Sequence, residues 1–256
     1  MKTTGISVIN KAYYDRLYAH SSPLAFKLHR FCSFDQKLKA RPNLRVLCQY
    51  FDKISTPGRD ASLLDYGFGW GSLLSMIPGN ISLYGYELSQ EATRIVGKTF
   101  GRKSFKIVNI NNGRIEPGGF DFAVCSHVME HCEDDLMVIA MLVESLKPGG
   151  ILLINVPINE FVTDPHHCRK YSPEDLQRKA EAAGLSTLSL IQTGRCDRIL
   201  YSDNRDYPAK TLIRAIRFVM AVMPYWFTTL IEDMFIKSET CYQCIYTGRK
   251  AESVSR

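Results

Sequence analysis

At 256 residues, with 45% hydrophobic and 23% charged residues, the chain can bury a sizeable core and suits one α/β domain with additions. Lysine and arginine number 32 against 26 acids, a net charge of +6, which suits an anionic substrate but is common in ordinary cytosolic proteins. Eight cysteines in so long a chain exclude a small disulfide scaffold, and Cys125, Cys132 and Cys168 fall where interior or near-site reduced thiols are expected.

Met1 to Tyr14 lacks the continuous apolar core of a signal peptide, so a reducing cytoplasm is the expected location. Between Lys27 and Lys53 the bases Arg30, Lys37, Lys39, Arg41 and Arg45 outweigh Asp35 and Asp52. They read either as a solvated helical face or as a basic rim at a substrate mouth. Ser62-Leu63-Leu64-Asp65 is a short apolar run suited to a buried parallel strand. It runs into Asp65-Tyr66-Gly67-Phe68-Gly69-Trp70-Gly71, where alternate glycines let the backbone bend and approach a ligand. Ser72 to Ile77 reads as a helix start whose free N–H groups face that turn. The next strand, Ile81 to Glu87, ends on an acid about 20 residues after the first glycine, where it can accept both hydroxyls of a ribose.

Further elements alternate as βαβ units should. A helix is expected from Ser89 to Phe100 with Gly101 as its stop, and strands at Ser104–Ile110 and Phe120–Ser126. Glu133 to Leu146 reads as a helix stopped by Lys147-Pro148-Gly149-Gly150, ahead of a strand from Ile151 to Val156. Ser172 is a strong N-cap, followed by Pro173, Glu174 and Asp175, for a helix ending at Gly184 before a strand from Leu185 to Ile191. An insertion from about Thr193 to Glu239 precedes a last strand at Thr240–Gly248. Within it, Phe218 to Ile231 is uncharged, too short to span a bilayer and broken by Pro224. A buried helix, a lid on an apolar acceptor pocket and an interfacial patch are its three readings, with Tyr225, Trp226 and Phe227 suited to the last two. Cys241-x-x-Cys244 lacks a second pair for zinc and reads as core.

Spacing discriminates between cofactors. A dinucleotide fingerprint, Gly-x-Gly-x-x-Gly, would need glycine at Ser72 or at Leu74, so neither register fits. With Asp65 two residues ahead of Gly67, the segment resembles motif I of the class I S-adenosylmethionine-dependent methyltransferases. Val108-Asn109-Ile110 stands where that family has Gly-Asp-x, with Asn keeping an acceptor oxygen but losing the charge. Phe120-Asp121 and Leu146-Lys147-Pro148-Gly149-Gly150 are similar to later signatures, so the resemblance covers roughly residues 61–190. It implies a Rossmann-like, doubly wound, seven-stranded, mostly parallel sheet with helices on both faces. It further implies S-adenosyl-L-methionine as cofactor, its methionine part held by Asp65, Gly67, Gly69 and Gly71. Glu87 and Leu88 would lie at the ribose, Asn109 and Ile110 at the adenine, and Ser126 at the edge of the cofactor site. Asn10 to Tyr18 resembles the aromatic N-terminal caps of the family, and is equally readable as a surface helix. The expected division is a helical cap (1–57), the cofactor-binding core (58–192), a helical insertion or lid (193–239), and the final strand and tail (240–256).

Ligands bind at the carboxyl ends of strands in such sheets, and two histidine-bearing loops leave that edge. An oxygen or amine nucleophile must lose a proton, and histidine titrates in the useful range, so position makes His127 and His167 the base candidates. In the family, Glu-His at Glu130-His131 often holds this loop by hydrogen bonds. His127-x-x-Glu130-His131 with the later His167 also resembles the Glu-x-x-Glu-His…His metal site of small-RNA 2′-O-methyltransferases, and a related pattern in ubiquinone-pathway O-methyltransferases. His127 departs from both by replacing an acid, and such a ligand set suits zinc, iron or manganese better than magnesium. The expected function is O- or N-methylation of a small-molecule acceptor, with a glycan, nucleotide-sugar or secondary metabolite suggested by analogy alone. Metal-assisted RNA methylation and a catalytically silent cofactor-binding relative are the alternatives. No DNA partner is expected, and the lack of an RNA-binding module or basic aromatic stripe argues against nucleic acid generally.

Overall fold

The computed structural model describes residues 8–19, 22–54, 60–100, 105–116, 118–160, 164–195, 210–235 and 240–252. Three helices come first: α1 (Val8–Ala19), α2 (Pro23–Cys32) and α3 (Phe34–Ile54). The core follows as β1 (Ala61–Tyr66), β2 (Ile81–Tyr86), α4 (Gln90–Thr99), β3 (Phe105–Ile107), β4 (Asn109–Asn111), β5 (Arg114–Glu116), β6 (Phe120–Ser126), α5 (Asp135–Ser145), β7 (Leu146–Pro157), α6 (Pro173–Ala182) and β8 (Leu185–Thr193). Helices α7 (Lys210–Val222) and α8 (Tyr225–Phe235) then precede the last strand, β9 (Gln243–Lys250).

Seven strands form one sheet in the order β3-β2-β1-β6-β7-β9-β8, and β4 pairs with β5 in a separate hairpin. The pairs among β3, β2, β1, β6 and β7 are parallel, while β9 runs antiparallel to both β7 and β8. The expected seven-stranded, mostly parallel architecture is therefore present. Side chains alternate across each strand, so Leu63 and Leu64 enter opposite cores. One core joins the sheet to α5 and α6 through Val138, Ile139, Leu142 and Leu176. The other joins it to α3 and α4 through Leu47, Phe51, Ile95 and Val96. Register carries Asp65, Gly85 and Val124 to one level, and likewise Ser126 and Asn155, so the carboxyl tips share an edge.

Several expectations are corrected. Ser72 to Ile77 is not an α-helix: only a 3-10 turn, Leu74–Met76, forms. Pro78 pushes Ile77 to extended backbone and ends the run, so the glycine turn faces no helix N-terminus. The expected strand to Ile110 divides into β3 and the hairpin strand β4, because Asn112-Gly113 closes a turn with both residues at positive φ. Leu146 to Gly150 belongs to β7; α5 ends one residue earlier, and Gly149 supplies the φ of +76° that this entry requires. The 218–231 segment is two helices parted at Met223-Pro224, and among the described side chains of α7 and α8 only Met220, Ala221 and Thr228 are buried. The single buried helix is thus not what forms. Gly101, Ser104 and most of the expected 193–239 insertion outside α7 and α8 lie outside the described residues, as do 1–7.

No described helix is long and apolar enough to cross a membrane. Cys241 and Cys244 are buried free thiols, as are Cys125 and Cys132, whereas Cys168 is exposed. The bases of α2 and α3 do not form one solvated face. Arg30 is buried and donates to the Trp70 carbonyl (2.8 Å) and Thr99 Oγ1 (3.3 Å). Arg41 donates to the carbonyls of Met220 (2.9 Å) and Ala221 (2.6 Å), tying α7 to α3.

Candidate active site

The turn after β1 is built by backbone conformation. Gly67, Gly69 and Gly71 have φ of +80°, +48° and +68°. At Gly67 an added Cβ would lie 2.3 Å from Val128 Cγ2, so glycine is required by space as well as by φ. The Gly67 N–H donates to the Tyr86 carbonyl at 2.8 Å, tying the turn to the tip of β2. One residue on, Glu87 accepts from the Gly69 N–H (Oε2, 2.8 Å) and the Ser89 N–H (Oε1, 3.0 Å). The acid expected at the ribose therefore also braces the glycine turn. Burial raises its pKa against the opposing hydrogen bonds from Ser89 and Gly69. Burial, reinforced by the charge of Glu87, pushes the Asp65 carboxyl up to about 7.

A cavity opens over this turn. Asp65, Gly67, Gly69, Glu87, Leu88 and Ser126 line it, as the sequence reading placed them. Gly71 lies outside the lining and packs near Arg30 and Val96 instead. Asn109 is exposed at the start of the β4–β5 hairpin, and neither it nor Ile110 reaches the cavity, so the expected adenine contacts are not assembled there. The cap contributes Tyr14, Tyr18, Gln36, Lys39 and Asn43 from α1 and α3. Tyr18 is buried, with its hydroxyl close to Gly69. Lys39 is half-buried and has no hydrogen-bond or ion-pair partner among the described residues.

Beyond the glycine turn stand the histidines. His127 adopts φ +55°, uncommon for a residue with a side chain, and its N–H donates to the Asn155 carbonyl at 2.8 Å. Its Nδ1 lies 3.4 Å from Glu130 Oε1 and its Nε2 3.4 Å from Gln243 Oε1. Asn155 Nδ2 donates to that same Gln243 oxygen (3.2 Å) and to Asn43 Oδ1 (3.0 Å), and Asn43 Nδ2 donates to Ser126 Oγ (2.9 Å). Both ring nitrogens of His127 thus face acceptors, although the residue lines the cavity. His131 also lines it, and its Nδ1 faces the His166 carbonyl at 3.1 Å. A carbonyl only accepts, so the proton is assigned to Nδ1, and Nε2, 4.0 Å from Glu130 Oε1, carries the lone pair. Burial lowers the pKa of His127, aided by Lys39, and burial likewise lowers that of His131. Burial alone would raise the Glu130 carboxyl, but the hydrogen bond and charge of His127, with the charge of His131, hold it down to about 2.

His167 does not line the cavity. Its Nδ1 lies 3.0 Å from Glu160 Oε1, and its ring meets that of His131 edge-on at 4.7 Å. The His166–Arg169 loop is pinned to the turn after β6: the Cys168 N–H donates to the Glu130 carbonyl at 2.7 Å, and Arg169 to the carbonyls of Cys132 and Glu133. Donor atoms of Glu130, His131 and His167 lie within 4.8 Å of one another, with His127 beside Glu130 but outside that group. Glu130 Oε2 is buried with no hydrogen-bond partner, so two imidazoles and an oxygen with unused acceptor capacity fit a transition metal.

Sequence reasoning missed Gln36, Asn43, Asn155 and Gln243, whereas Tyr14 lies in the segment read as a cap or surface helix and Lys39 among the bases read as a solvated face or basic rim. A signal existed for Asn43, which interrupts the buried stripe Ala40-Leu47-Tyr50 of α3 with a polar residue.

A positive-φ glycine turn at the tip of β1, an acid at the tip of β2 and this strand order define a class I, S-adenosylmethionine-dependent methyltransferase. Residues 38–190 match the family described as methyltransferase domain, and the chain belongs to that family. A ubiquinone biosynthesis O-methyltransferase from Thiobacillus denitrificans is 25% identical over 189 residues, covering 63% of this chain and 80% of that protein. Among solved structures, the cyclase SpnF is similar with TM-score 0.59 and 17% identity over 97% of this chain and 99% of its own. The N-methyltransferase NodS from Bradyrhizobium japonicum WM9, in complex with S-adenosyl-L-homocysteine, matches with TM-score 0.59 and 13% identity over 94% of this chain and 98% of its own. At these identities the structural likeness speaks for the fold alone.

Proposed function

We propose that the protein transfers the methyl group of S-adenosyl-L-methionine to an oxygen or nitrogen of a small-molecule acceptor. The observation that carries this reading is the placement of His131, with its proton on Nδ1, in the same cavity as the glycine turn and Glu87. In this reading Gly67 and Gly69 admit the methionine part, Asp65 and Glu87 hold the amine and ribose ends, and Ser126 borders the methyl group. His131 takes the proton from the nucleophile, while His127 fixes the loop. Placing nucleophile, methyl carbon and sulfur in line supplies much of the rate, so the base adds to a reaction already favoured by position. Lys39 gives the cavity a cation for a carboxylate of cofactor or acceptor. The ubiquinone biosynthesis relative is an O-methyltransferase, which supports a compact acceptor over RNA. A screen with methyl-labelled cofactor against phenols, catechols, sugars and amines tests this: label should enter at least one acceptor. Tight cofactor binding with no transfer to any of them would favour the silent relative.

A second reading is favoured by the clustered donor atoms of Glu130, His131 and His167. A divalent metal held there would act as a Lewis acid on acceptor oxygens. Burial favours the neutral form of His131 and Glu130 is held ionised, the protonation states such ligands need. Metal analysis of protein loaded with zinc, manganese or iron and then desalted should find one equivalent that Glu130→Gln removes. Retention of no metal, with activity indifferent to chelator, would leave His131 as a simple base.

A further inference from the structure

The outer faces of α7 and α8 are apolar where a solvated helix would be charged. On α7, Leu212, Ala215, Ile216, Phe218, Val219 and Val222 all point outward, and Leu212 is 62% exposed. At 100° per residue these six span the arc opposite buried Met220 and Ala221, an arc with no charged residue in it. On α8, Trp226, Leu230 and Met234 recur every four residues and are 67%, 45% and 61% exposed. Leu28 and Phe218 both line the groove between α2 and α7, and Leu24 one turn away is exposed too. Neither helix lines the cavity, so this surface does not serve as a wall for the acceptor.

Struts on the inner side hold the patch in place. Arg41 grips the last carbonyls of α7, and Arg217 pairs with Asp35 of α3. Exposed bases border it: Arg214 in the α2–α7 groove, Lys27 next to Leu28 in the chain, and Arg45 in the groove shared with Tyr225 and Thr229 of α8. Asp233 is the exposed acid described within it, 3.5 Å from Arg195.

We infer that α7 and α8 dock the protein on an anionic phospholipid surface. The helices lie in the interface with Leu212, Val219, Trp226 and Met234 below the headgroups and the bases among them. Charge decides against a second copy as occupant. A two-fold contact through this face would bring the basic border against itself, whereas anionic headgroups complement it. The described helices are too short or too polar to cross a bilayer, so α7 and α8 would lie on the membrane surface without spanning it.

The test is co-sedimentation of the full chain with phosphatidylcholine vesicles, with and without phosphatidylglycerol. The natural chain should partition onto the mixed vesicles, at least about tenfold more strongly than onto phosphatidylcholine alone. Val219→Glu/Trp226→Glu should lose at least about tenfold of that binding while keeping its affinity for S-adenosylhomocysteine, which reports an intact fold. Absence of binding by the natural chain, or equal binding by the double variant, would overturn the proposal. Self-association in the ultracentrifuge, abolished by the same variant without any vesicle binding, would also overturn it by assigning the patch to a second copy.

Discussion

The two ends of the cavity are built by different means. At the cofactor end the determinants belong to the backbone: three glycines at positive φ, two strand tips held in register, and an acid one residue past the second strand. At the other end they are side chains from α1, α3, the turn after β6, β7 and β9, brought together by the fold and held by the hydrogen-bonded run Ser126-Asn43-Asn155-Gln243-His127. A site built from backbone tolerates almost no change at its glycines, because an added Cβ alters the conformation itself. A side-chain site can be retuned one residue at a time, which is how related folds come to serve different acceptors.

The sharpest way to break this contrast is Gly67→Ala. Its Cβ would meet Val128 in a backbone conformation that alanine disfavours, so S-adenosylhomocysteine affinity should fall at least a hundredfold, about 3 kcal/mol, by calorimetry. Unchanged affinity would show that the turn does not touch the nucleoside. Next in size, His131→Ala should lower kcat about a hundredfold with cofactor affinity preserved, and added imidazole should restore part of the rate. His127→Ala should instead cost cofactor or acceptor affinity through a loosened loop; a larger kcat loss there than at His131 would reverse the two roles.

Proton inventory gives a third discriminator. A base works in its neutral form, and burial lowers the pKa of His131 below its ordinary 6.5. The rate on a hydroxyl acceptor of high pKa should therefore climb with pH below that value and be level at neutrality. His131→Ala should flatten the climb, whereas an unchanged profile would move the titrating group elsewhere. The smallest effect is expected from Asn43→Ala, which cuts the run behind Ser126 and should lower kcat only about threefold to tenfold with KM for the cofactor unchanged.

The same contrast explains what could be read without a structure. Strand tips and glycine turns follow local rules, so β1, β2, β6 and the capped helices α4 and α6 lie within a residue or two of their expected bounds. Ser89 and Ser172 each cap the backbone N–H three residues on, as their sequence context implies. The Ser72–Ile77 helix failed because Pro78, six residues past Ser72, leaves no room for a second turn. Asn109 does not line the cavity because Asn112-Gly113 nucleates a hairpin that leaves it exposed. Gln243 and His127, far apart in sequence, meet only because β9 enters the sheet antiparallel beside β7, and no short-range pattern encodes that.

A crystal structure with S-adenosylhomocysteine bound is the most direct measurement. The account predicts its ribose against Glu87, its methionine part over Gly67 and Gly69, and its sulfur facing open space within reach of His131 Nε2. A nucleoside seated elsewhere, or a sulfur turned away from His131 toward solvent, would contradict it.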